Sequence, residues 1–180
     1  MSTNLPNQVL EDLKEPFQKI LSTNNFGDPA NEVAELIAEG QFNLQNLDGV
    51  LKRYQLKDLV QIKLQVLDML ISYIWLIVSD NVITAREANN LRFLKRFFKI
   101  REGDFYSSKY ATIETILERQ FELMYQDDVI DKDEAIQKVE LQEMFDLSYD
   151  QFLKLSQKAI TSAIDRGADP LELDTFIKSS

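Results

Sequence analysis

Apolar residues recur at helical spacing along nearly the whole chain, and nowhere do they alternate as a half-buried strand requires. Val9, Leu10, Leu13, Phe17, Ile20 and Leu21 predict a first helix over about residues 7–21, with Pro16 set to kink or split it. Asp28-Pro29 opens a second helix, Asp at the N-cap and Pro in the first turn, which ends near Gly40. A short helix is predicted over 44–54, a long one over 56–79, and another from Thr84 to about Lys99. Residues 101–108 read as a connector, followed by helices over 109–126 and 131–146. Ser148-Tyr149-Asp150-Gln151 is a capping box for a helix stopped by Gly167, and Asp169-Pro170 caps a short last one. The expected fold is all-α, a compact bundle of about seven or eight helices around the 56–79 helix. Residues 1–55 are expected to form an N-terminal helical extension to a domain over 56–180.

The long helix holds the most apolar stretch, Met69–Val78, bounded by Asp68 and Asp80. A membrane span needs about 20 apolar residues. This stretch therefore predicts a core helix buried on most sides.

The pattern also repeats. Asp80-Asn81-Val82-Ile83-Thr84-Ala85-Arg86-Glu87 returns 47 residues later as Asp127-Asp128-Val129-Ile130-Asp131-Lys132-Asp133-Glu134. In the same register Leu70 matches Leu117, Leu94 matches Leu141, Phe98 matches Phe145 and Phe105 matches Phe152. Two copies of a helix, acidic turn, helix and connector are implied, over about 70–105 and 117–152.

Composition narrows the chemistry. Cysteine and histidine are both absent, which excludes disulfides, thiolate zinc sites and Ser-His-Asp catalysis. Any metal must take oxygen ligands, as Ca²⁺, Mg²⁺ or Mn²⁺ do. The first residues lack the basic and apolar regions of a secretory signal, so a cytoplasmic protein is expected. Net charge is −10, unevenly spread: +5 over residues 51–100 and −9 over 101–150. The acidic total argues against nucleic acid as a partner.

Two readings of the acidic turns stay open. Thr84-x-x-Glu87 and Asp131-x-x-Glu134 both fit a capping box, with Val82 or Ile83 as an apolar anchor. Capping leaves Asp80 and Asp127 unexplained, because a carboxylate at a helix C-terminus opposes the dipole. Crowding of Asp127, Asp128, Asp131 and Glu134 calls for a counter-charge: a hard cation, a basic partner or nearby Arg and Lys. The cation reading names Asp127, Asp128, Asp131 and Glu134, with Asp80 and Glu87 in the first copy. The second corner is not an EF-hand: counted from Asp127, Val129, Lys132 and Lys138 occupy positions that need an oxygen ligand, glycine and glutamate.

These paired D-x-x-I-x-x-x-E corners resemble the tellurite-resistance TerB-like family over about residues 56–158. The resemblance implies an all-helical, internally duplicated, bacterial stress-response protein with acidic residues that bind divalent metal. It points to Asp80 and Glu87 in one corner and Asp127 and Glu134 in the other. The family has Gly after the first Asp; here Asn81 and Asp128 stand there.

Arg92, Lys95, Arg96 and Lys99 form one basic stripe among Phe93, Phe97 and Phe98. Read alone, the stripe is a solvated face with the Phe residues in the core, or a patch for RNA or an anionic membrane. Glu143 and Asp146 occupy the positions of Arg96 and Lys99 in the second copy, so complementary faces for unit docking or homo-oligomers are a third reading. With no evident nucleophile, the expectation is a non-enzymatic binding or scaffold protein with a protein partner. It either binds a divalent cation at its acidic corners or is a metal-independent interaction module whose corners are caps.

Overall fold

The fold was read from a computed structural model of the 180-residue chain, which describes residues 6–80, 82–125 and 132–169. It is all-α, with no strand among the described residues. The helices are α1 (Asn7–Thr23), α2 (Asp28–Ala38), α3 (Leu44–Arg53), α4 (Lys63–Ile77), α5 (Ala85–Phe97), α6 (Asp104–Met124), α7 (Lys132–Met144) and α8 (Tyr149–Asp165). They fall into two compact units: Met1–Asp80 with Thr84–Arg101, and Glu102–Ser180 with Asn81–Ile83.

In the first unit α4 is the core helix. Val66, Leu67, Met69, Leu70, Tyr73 and Ile74 are all buried, on more than one face. By length and composition Leu59–Ile77 would also suit a membrane span, a test that the core helix of a soluble protein passes as well. α1 packs on α2, α4 and α5, seating Leu13 and Phe17 in the interior, with the Phe17 and Tyr73 rings 5.9 Å apart. Phe42 joins Phe97 and Phe98 in a second aromatic cluster.

Four local expectations are corrected. Asp28, expected as the N-cap of α2, is its first helical residue, and Gly27 stands at the cap with no side-chain cap hydrogen bond. α1 runs as one continuous helix through Pro16 to Thr23, so the expected alternative of two short helices does not hold. Leu13 and Phe17 bracket the proline in the core, so packing offsets the lost backbone hydrogen bond. The long helix is preceded by a 3-10 turn at Leu59–Ile62, capped by Asp58, so the regular helix starts at Lys63. The expected connector over 101–108 contains a helical segment: α6 begins at Asp104 and bends at Lys109 (φ −134°, ψ 26°). Gly103, in the left-handed region at φ 81°, precedes it and gives the chain its turn.

In the second unit α6 packs on α8. Phe121 meets Phe152 edge-on at 5.4 Å, and Phe105 meets Phe145 at 5.8 Å. α8 is opened by the Ser148–Gln151 capping box and stopped at Gly167 (φ 106°), as its sequence predicts. The predicted last helix after Asp169 lies outside the described residues.

The 47-residue offset carries into element limits. α5 and α7 correspond end for end, and the regular part of α6 after the Lys109 bend corresponds to α4. Val66, Met69, Leu70, Ile74 and Ile77 are buried, and so are Ile113, Ile116, Leu117, Phe121 and Met124 at the matched positions. Both α5 and α7 end on a left-handed non-glycine residue, Lys99 (φ 54°) and Asp146 (φ 49°). In each case the next amide reaches back to close the helix end: Ile100 to the Lys95 carbonyl, Leu147 to the Gln142 carbonyl.

Candidate functional site

The first acidic corner is built by α4 and α5. α4 ends at Ile77 with Val78 as its cap, so Asp80 stands two residues beyond the cap, on exposed surface. The dipole penalty falls off within the last turn, and at this position it is small. At the other side of the corner Thr84 and Glu87 form a full capping box. The Glu87 amide donates to Thr84 Oγ1 at 3.2 Å, and the Thr84 amide donates to Glu87 Oε2 at 2.9 Å. The Thr84 hydroxyl donates to the same Oε2 at 2.6 Å. One oxygen of Glu87 is therefore committed to the helix N-terminus. Of the two candidate anchors, Val82 is 61% exposed and Ile83 is half-buried.

At the second corner, Asp133 and Glu134 lie in the first turn of α7, where the dipole favours them. Asp127, Asp128 and Asp131 lie outside the described residues. Among the described residues, no three acidic side chains converge as a metal site would need.

Two cations stand at the end of α6 that leads into the second corner. Arg166 Nη2, at the end of α8, donates to the Tyr125 carbonyl at 2.8 Å. Lys138 is buried on α7, with Nζ 5.6 Å from the centre of the Tyr125 ring. A guanidinium on the last carbonyls of a helix complements its dipole.

Two polar contacts between helices, one buried and one half-buried, were not foreseen. In the first unit the Asn90 side chain on α5 hydrogen-bonds the hydroxyl of Tyr73 on α4; both residues are buried. Burial pushes the Tyr73 hydroxyl well above its ordinary value of 10.0. The Asn90 hydrogen bond works the other way, and the Glu87 and Asp12 carboxylates add to the rise. Asp12, on α1, is held by Gln8 at 2.9 Å and lies 3.7 Å from Arg86. In the second unit Gln137 on α7 donates to Gln120 on α6 at 3.1 Å. Gln120 and Gln137 are the 47-residue counterparts of Tyr73 and Asn90. The sequence signal was present: polar residues recur at these positions at the 47-residue offset.

The basic stripe of α5 does not form as expected. Arg92, Arg96 and Lys99 are exposed, but Lys95 is buried. Lysine's long methylene stem allows that, because it packs as an apolar chain. Phe98 is buried, while Phe93 and Phe97 are half-buried. Comparison with protein-family models, with curated proteins and with solved structures returns no match.

Proposed function

We propose that this chain is a non-enzymatic binding or scaffold module of the TerB-like kind, whose first acidic corner is a structural helix cap. The cap is supported by the commitment of Glu87 Oε2 to both the amide and the hydroxyl of Thr84, and the family reading rests on the paired D-x-x-I-x-x-x-E corners of the sequence alone. A cation at that corner would have to compete with the cap. The absence of histidine and cysteine, with no evident nucleophile, supports a binding role over a hydrolytic one.

A divalent hard cation is the second reading, confined to the second corner. It is favoured by the density of acids there, Asp127, Asp128, Asp131 and Glu134 within eight residues. A ligand that binds only the folded state raises the melting temperature by mass action. Melting with millimolar Ca²⁺, Mg²⁺ or Mn²⁺ against chelator is expected to give no shift. A rise lost in Asp127→Asn and kept in Glu87→Gln would establish the cation reading instead. A rise lost in Glu87→Gln would overturn the assignment of the first corner as a cap.

A further inference from the structure

We propose that the outer face of α7 docks a second copy of this chain through the outer face of α5, an inference that rests on the interaction-module reading. α7 is apolar on two opposite sides. Leu141 and Met144 are buried on its inner side, whereas Ile136 is 51% exposed and Val139 38% exposed. These two are three residues apart, so they share one face, turned away from Leu141. Glu143 continues that face, exposed, and half-exposed Asp146 follows the helix end.

The corresponding face of α5 has the opposite character. Asn89 stands in place of Ile136, Arg92 in place of Val139, Arg96 in place of Glu143 and Lys99 in place of Asp146. All four are exposed. Arginine suits this meeting: its methylene stem covers apolar surface and its guanidinium pairs with a carboxylate. The charge balance of the two segments that hold these helices agrees, +5 over residues 51–100 against −9 over 101–150. Charge complementarity between two faces of one chain favours a second copy over an unrelated partner. The two patches differ, so the contact is head-to-tail and closes as a ring or continues as a chain.

Sedimentation of the full chain at tens of micromolar, in low and high salt, tests this. A mass above the monomer at low salt that falls towards the monomer as salt rises is expected. Arg96→Glu and Ile136→Glu are each expected to leave the monomer, with melting temperatures near the parent's because both sites are exposed. The exchange Arg96→Glu with Glu143→Arg is expected to restore association. A monomer at every salt concentration overturns the proposal, and so does an oligomer indifferent to Arg96→Glu and Ile136→Glu. Neither result bears on the capping assignment, which the metal melts address separately.

Discussion

At the scale of single residues, the Glu87 carboxylate of the first corner is explained by the backbone it serves. Glu87 satisfies the amide of Thr84, and Thr84 satisfies the amide of Glu87. Replacing Thr84 with Ala is expected to cost about 1 kcal/mol in urea unfolding, the ordinary value of an N-cap. The Tyr73–Asn90 pair is a different kind of contact, because both groups are buried. Tyr73→Phe leaves the Asn90 amide without that acceptor, which is expected to cost about 1–3 kcal/mol. Its pH signature follows from the raised hydroxyl. The folded state holds that proton more tightly than the unfolded chain, so the stability it contributes is full below the ordinary value of 10.0 and is lost as pH rises above it. Stability is therefore expected to fall above about pH 10, and Tyr73→Phe is expected to lessen that fall. Urea midpoints at neutral and alkaline pH, parent against variant, check this.

At the scale of elements, the ends of the helices are specified by local chemistry, and some are strained. Lys99 and Asp146 adopt a left-handed conformation that costs a non-glycine residue about 1–2 kcal/mol. Lys99→Gly is therefore expected to stabilise the protein, by about 0.5–1 kcal/mol once glycine's extra unfolded-state entropy is set against the relief. The reverse holds at Gly27, which precedes α2 at φ 90° and ψ 152°, a region all but closed to other residues. A Cβ there would also lie 2.6 Å from Gln65 Nε2. Gly27→Ala is expected to destabilise by about 1–3 kcal/mol in denaturant unfolding. Most helix limits were legible in the sequence, because caps and stops act over three or four residues: Ser148 with Gln151, Gly40 and Gly167 all fall where their chemistry predicts. The Pro16 break and the 101–108 connector were not, because neighbouring helices decided both. α1 is kept continuous by what Leu13 and Phe17 bury, and the short segment before Lys109 is anchored by buried Phe105.

At the scale of the whole molecule, each unit carries its own interior. The first is built on α4, and in the second α6 packs on α8 with Phe121 fully buried. A fragment of residues 1–101 is accordingly expected to keep a helical circular-dichroism spectrum and to unfold cooperatively in urea; a non-cooperative melt would mean that its core is incomplete. Of the candidate site, the Thr84–Glu87 cap was legible as one of two readings, since both partners lie within four residues. What the chain by itself determined is its all-α class, most of its caps and the 47-residue register, because these arise from short-range periodicity and hydrogen bonding. What only the tertiary structure decided is which polar residues turn inward. Lys95 and Lys138 are buried, and Asn90 meets Tyr73 as Gln137 meets Gln120. A helix exposes or buries a side chain according to where its neighbours pack, and that packing is set by residues far away in sequence.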